Sequence, residues 1–126
     1  MPHTSIFNPD TYMLEVRLYG DFTLSEIKDT LAEFTGIIKE KDCKRILTDY
    51  REANLKLSVT GIFRMPEIVA EIFTASGVNL YQLKRALVTT KFLKDFKFFE
   101  TVSLNRGQNA RVFDNMDEAR SWLLEE

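Results

Sequence analysis

Histidine, cysteine and glycine are scarce in this chain, and each shortage narrows what it can do. The 126 residues hold one histidine, His3, and one cysteine, Cys43. A lone cysteine closes no internal disulfide, which fits a reducing compartment. A structural zinc site draws several ligands from Cys and His, so no metal site is expected. A Ser-His-Asp arrangement needs a positioned base. His3 stands among the first residues, where chains are commonly loose, and makes a poor one. Lys41, Lys44 and Arg45 beside Cys43 would lower its thiol pKa, yet no histidine accompanies it. The five glycines, at 20, 36, 61, 77 and 107, lie far apart. Phosphate-cradling loops need closely spaced glycines at a helix start, so neither a P-loop nor a dinucleotide fingerprint is present, and no cofactor is expected.

Long apolar runs are lacking too. No stretch approaches the roughly 20 apolar residues of a membrane span. The first ten residues, MPHTSIFNPD, have neither the basic start nor the apolar run of a signal peptide, so a cytoplasmic location is the default expectation. Charge of one sign is not concentrated: 17 basic and 19 acidic side chains give a net charge of −2. Nucleic-acid binding leans on clustered Lys and Arg, and is not expected here. The densest basic region, residues 84–97, is interleaved with Phe92, Leu93 and Phe96 and reads as the solvated face of a helix.

What the chain does have is ordinary globular material, 44 % hydrophobic and 29 % charged, with ten phenylalanines. Its length fits one domain, residues 1–126, with a real core. Thr4, Ser5, Ile6 and Phe7 suggest a first strand, and Asn8-Pro9-Asp10 is turn chemistry. Over residues 12–19, Tyr12, Leu14, Val16 and Leu18 alternate with Met13, Glu15, Arg17 and Tyr19, the period of a half-buried strand; Gly20-Asp21 is expected to end it. Thr23 and Glu26 form a capping box, and Leu24, Ile27, Leu31, Phe34 and Ile38 recur at helical spacing. Residues 44–50 read as a buried central strand. Ile62, Met65, Val69, Ile72 and Phe73 mark a second helix whose main body is expected to begin at Pro66. Residues 86–90 form another strand. Phe92, Leu93, Phe96, Phe99 and Val102 mark a third helix closed by Gly107. Residues 110–113 form a last strand, and Asn115 with Glu118 caps a final helix that buries Ala119, Trp122 and Leu123. The order predicts an α/β domain with a mixed sheet of about five strands, an N-terminal hairpin and about four helices.

Three sites invite chemistry. Asp49, at the expected end of a central strand, suggests a phospho-accepting receiver, with Thr89 or Thr90 ending a later strand. The receiver's acidic pair and final Lys are missing, so Asp49 reads as a carboxylate that pairs with Arg51 or caps the next turn. Glu67 and Glu71 stand four apart on a helix. Acid–base work would need an apolar pocket around them, so they read as solvent-facing. No catalytic group is assigned. The segment ANLKLSVTGIF, residues 53–63, carries Ser58, Thr60 and Gly61 between strand and helix, and Arg64 follows it. It is either a phosphorylation switch or a helix start with Ser58 as its cap.

The C-terminal RVFDNMDEARSWL, the preceding ALVTTKFLKDFKFFETVSLNRG and the central RILTDYREANLKLSVTGIF together resemble the SpoIIAA-like branch of the STAS superfamily, the sulfate-transporter and anti-sigma-antagonist domains. The resemblance spans nearly the whole chain. It implies a small, non-enzymatic cytoplasmic α/β interaction module. Antagonists of that family bind a partner kinase and are switched off by phosphorylation of a Ser in an Asp-Ser-Ser-Gly-like segment at a helix start. Aligning Gly61 with the motif's glycine puts Thr60 on its second Ser, Val59 on its first and Ser58 on its Asp. Val59 then occupies the usual acceptor position without a hydroxyl, and Ser58 or Thr60 could serve only in a shifted register. The resemblance also extends to lipid-exchange domains, so the alternative is a binder of a small apolar or lipid-like ligand, its cavity lined by Phe92, Phe96, Phe98, Phe99 and Tyr81. Phe96, Phe98 and Phe99 cannot share one narrow face. Phe98 is therefore the expected exposed contact for a partner, or for a homodimer formed through the Phe-rich helix or an edge strand.

Overall fold

The computed structural model describes residues 3–91 and 93–125. Strand β1 (His3–Asn8) pairs antiparallel with β2 (Met13–Phe22). Helix α1 (Leu24–Lys41) follows, then β3 (Arg45–Leu55), α2 (Val59–Ala75), β4 (Lys84–Val88), α3 (Leu93–Asn105), β5 (Asn109–Phe113) and α4 (Met116–Leu124). The sheet order is β1-β2-β3-β4-β5, with every pair from β2 onward parallel. The α/β fold with an N-terminal hairpin, five mixed strands and four helices is the one the sequence predicts.

The strand order fixes where the helices lie. Parallel crossovers are right-handed, and three crossovers that all step in one direction leave their helices on one face. Buried side chains agree. Leu14, Val16 and Ile46 of the sheet pack with Phe34, Ile38, Val69 and Phe73 of α1 and α2. Leu87, Ala110 and Val112 pack with Phe96 and Phe99 of α3. Only α4 covers the other face, setting Ala119 and Leu123 on Met13, Leu47, Ala86 and Val88. Each Leu or Phe fully buried this way contributes about 1.5–3 kcal/mol. The strand order never reverses, so the sheet has no switch-point crevice of the kind that holds ligands in doubly wound folds.

Several boundaries differ from the sequence reading. Gly20-Asp21 does not end β2. The pairing register shifts between Arg17 and Tyr19, Gly20 takes φ +86°, and the strand bends and continues to Phe22. Tyr12 belongs to the preceding turn, at φ +52°, instead of sharing the face of Leu14. β3 runs past Tyr50 to Leu55 because the lengthened β2 supplies it with partners. Asp49 is consequently inside a strand. Helix α2 does not start at Pro66: Ser58 caps it eight residues earlier, and Pro66 lies within the helix. His3 is the first residue of β1, and its Nε2 lies 3.0 Å from Glu33 Oε2 on α1. Lys84 and Arg85, read as part of a solvated helix face, open β4. Phe92 lies outside the described residues, and Leu93, on the expected apolar face of α3, is exposed.

Candidate functional site

The β3–α2 corner holds the segment singled out in the sequence. Ser58 has extended backbone, and its Oγ accepts the Gly61 N–H at 3.1 Å, which satisfies one of the helix's unpaired donors. Gly61 is the third helical residue and takes no unusual φ. A Cβ there would meet Ser58 Oγ at 3.5 Å and Leu57 Cβ at 3.6 Å, ordinary contacts, so nothing in the backbone demands glycine. Ser58, Thr60 and Arg64 are exposed. One turn into α2 stands Phe63, 52 % exposed, and facing it from α3 is Phe98, 43 % exposed, with ring centroids 5.8 Å apart. The fold therefore brings the Ser58–Arg64 segment and Phe98 onto neighbouring helices, with Phe63 joining them. Phe63 was not singled out in the sequence, where it reads as one more aromatic of a helical run.

Beneath the same helices lies a hollow of about 130 Å³, partly open, between the sheet and α1, α2 and α3. Its walls are mainly apolar and include Leu31, Leu57, Met65, Leu87, Phe96 and Phe99. Of the aromatics assigned to a cavity, Phe96 and Phe99 line it. Tyr81 and Phe98 do not: Tyr81 is 62 % exposed beside Gly107, and Phe98 points away toward Phe63. Two polar side chains reach the hollow from the sheet, Tyr50 and Arg85. Tyr50 packs its ring edge-on against Phe96, centroids 5.2 Å apart. Burial raises its hydroxyl pKa, an effect that the nearby Arg85 charge partly opposes. Arg85 is 8 % exposed. It donates to Gln108 Oε1 at 3.2 Å, and Gln108, also buried, donates through Nε2 to Pro66 O at 2.9 Å. The guanidinium carbon lies 6.0 Å from the centre of the Phe99 ring. Burial pulls the Arg85 pKa down to about 10, against a smaller opposing effect of Tyr50.

The other face of the sheet is ionic. Asp49 is buried, and its carboxylate accepts two bonds from the Arg51 guanidinium, at 3.0 and 2.9 Å, and one from the Arg51 N–H at 3.0 Å. Burial would raise its pKa, but the Arg51 bonds and charge, with Arg17 at 3.6 Å, outweigh it and hold the carboxyl below its ordinary value. Pairing with Arg51 is thus the reading that the structure supports. Alongside, Arg120 of α4 binds Glu15 at 3.0 Å. Cations also meet the carbonyl end of α4: Arg45 Nε donates to Leu123 O at 2.8 Å and Lys84 Nζ to Trp122 O.

The remaining candidates scatter. Cys43 is buried under α1, and its thiol donates to Tyr12 O and Arg45 O. Burial pushes its pKa up and outweighs the basic neighbours, contrary to the expectation from sequence. Glu71 is exposed, whereas Glu67 is half-buried with Arg106 3.9 Å away. Among the described residues no group of three or more His, Cys, Asp or Glu side chains could hold a metal ion, and no helix is long and apolar enough to cross a membrane.

Sequence reasoning missed Arg85, Tyr50 and Gln108. A signal existed for the first: in KRALV, Arg85 shares strand phase with Leu87, so a buried Leu87 implies an Arg85 on the same face. Tyr50 shares phase with Ile46 in the same way. Gln108, past the end of a helix, carries no such pattern.

No protein-family profile matches this chain, and no curated protein matches it by sequence. Solved structures do. SpoIIAA, an anti-sigma factor antagonist, in its unphosphorylated form, superposes with a TM-score of 0.54 at 12 % identity, covering 94 % of each chain. An uncharacterized protein of the DUF3478 family with a SpoIIAA-like fold, from Shewanella loihica PV-4, gives 0.55 at 15 % identity, covering 96 % of this chain and 91 % of its own. The chain has the SpoIIAA-like fold that the sequence resemblance implied.

Proposed function

We propose that this chain is a non-catalytic, cytoplasmic regulatory module of STAS type that works by docking a protein partner on the α2–α3 face. The paired, exposed Phe63 and Phe98 carry this reading: exposed aromatics are over-represented at protein contacts, and these two sit beside the exposed Ser58, Thr60 and Arg64. The isolation of His3 from Cys43 and the raised thiol pKa favour a non-catalytic role. The fold shared with an anti-sigma factor antagonist points the same way. Phosphorylation of Ser58 or Thr60 would add about −1.5 to −2 charges to this face and alter docking. The test places a photo-crosslinking amino acid at Phe98 and, as control, at Glu118 on α4, in the source cell. One partner should crosslink from Phe98 and not from Glu118, and Gly61→Trp should weaken that adduct. Equal or absent adducts would refute the surface. An adduct with a second copy of the chain would make it a homodimer contact. A phosphopeptide covering Ser58 and Thr60 would support the switch.

A second reading, a binder of a small apolar or amphipathic ligand, is favoured by the hollow between the sheet and the three helices. At about 130 Å³ it is close to a cavity of roughly 150 Å³ that admits benzene. That is too small for a long acyl chain, so this reading narrows from a lipid to a compact ligand.

A further inference from the structure

Among the described residues, no carboxylate pairs with the charge that Arg85 brings to the hollow. A guanidinium has five N–H donors. Arg85 uses one on Gln108, a neutral partner, and among the described residues no ion pair includes Arg85. Asp95, on α3, also lines the hollow and does not pair with Arg85. Buried arginines are ordinarily neutralised by a carboxylate, because an uncompensated charge in an apolar surround is costly. The remaining donors are not sealed off either. Among the described residues, the polar side-chain atoms that are buried without a partner belong to His3, Ser5, Thr11 and Ser103, not to Arg85, and Arg85 lines the hollow.

We propose that the hollow is a binding site for a small monoanionic amphiphile, an aromatic or short branched carboxylate, whose carboxylate pairs with Arg85 while its apolar body packs among Leu31, Met65 and Phe96. Three features select that class. The planar fork of a guanidinium matches a carboxylate. The free volume accommodates one ring or a short chain. Asp95 on the wall opposes a second negative charge, which disfavours a phosphate dianion. Tyr50, on the same surface, adds a hydroxyl that can bond the ligand's second oxygen. Gln108 acts as a positioning residue: by bonding both Arg85 and Pro66 O it ties the guanidinium to α2.

This inference rests on the ligand-binding reading above, and the experiment separates the two. Benzoate and its neutral analogue benzyl alcohol are titrated into the purified chain, followed by methyl NMR signals of Leu31, Met65 and Leu87. Benzoate should bind at least about tenfold more tightly than benzyl alcohol, the range expected of a charge-assisted bond. Arg85→Met should abolish that preference, and Arg85→Lys should restore part of it. Equal binding of the two probes to the unaltered protein would overturn the carboxylate assignment and leave the apolar site standing. Binding of neither would overturn both. Because the first comparison uses the unaltered protein, it holds even if a variant folds poorly.

Discussion

If Arg85 is held ready for a ligand, the empty protein should be under strain there, and Arg85→Met measures it. Methionine keeps most of the length and apolar volume of the arginine stem and removes the charge. Burial lowers the Arg85 pKa to about 10, a penalty on the charged form of about 3 kcal/mol. The sign follows from linkage. A base whose folded pKa lies below its unfolded one destabilises the fold wherever it is charged in both states. The penalty is complete below about pH 10 and fades only above it, so it is fully present at pH 7. Against this relief stand two losses. Gln108 Oε1 gives up its donor, about 1–3 kcal/mol if it stays dry. The contact with Phe99 is worth about 1 kcal/mol, part of which the methionine sulfur regains. The terms nearly cancel. Urea unfolding at pH 7 should place the variant within about 1 kcal/mol of the unaltered chain. Removing one partner of a satisfied buried ion pair costs about 3–5 kcal/mol. A loss of that size would show that Arg85 already has its counter-charge in the protein, and the argument for an external anion would fall.

Other consequences are simpler to read. Ser58→Ala removes the α2 cap and should lower stability by about 1 kcal/mol, whereas Gly61→Ala should raise it by about 0.5–1 kcal/mol, since its backbone is ordinary and its Cβ unobstructed; denaturant midpoints decide both. Asp49 is held below its ordinary carboxyl pKa, so its contribution is present above about pH 4 and is lost as pH falls through the folded value. Asp49→Asn should therefore be less stable at pH 7 and show a shallower acid limb in stability against pH. Cys43 should react with iodoacetamide about tenfold or more slowly in the native chain than in urea, because burial both shields the thiol and raises its pKa. Phe98→Asp should cost about 1 kcal/mol of stability, through loss of the pair with Phe63, leave the chain folded, and abolish partner crosslinking from the α2–α3 face.

The element order, the capping box at Thr23 and Glu26, the Asn115 cap and the Ser58 cap were all legible in the sequence, because period, cap and turn chemistry are local. These elements in this order imply a largely parallel sheet; that its strands step one way, which with handedness sets three helices on one face, was decided by the tertiary structure. The ends of strands were less legible. Whether β2 passes Gly20 depends on whether β3 offers it partners, and β3 in turn depends on β2; each strand is stabilised by the other's backbone, which neither sequence segment states alone. The sequence could likewise place Phe98 off the buried face of its helix. Only packing brought Phe63 opposite it, from a helix remote in the chain.

The hollow was decided by tertiary structure. Arg85 at the charged start of a strand reads as a solvated residue, and locally nothing contradicts that. It is buried because α2 and α3 close over the start of β4, and among the described residues no carboxylate pairs with it: Asp49 is taken by Arg51 on the other face, and Asp95, though it lines the hollow, makes no ion pair with Arg85. A sequence determines which residues can be apolar, charged or capping. Only the assembled fold determines how far a charge is from water and from its opposite, since both are distances between segments remote in the chain.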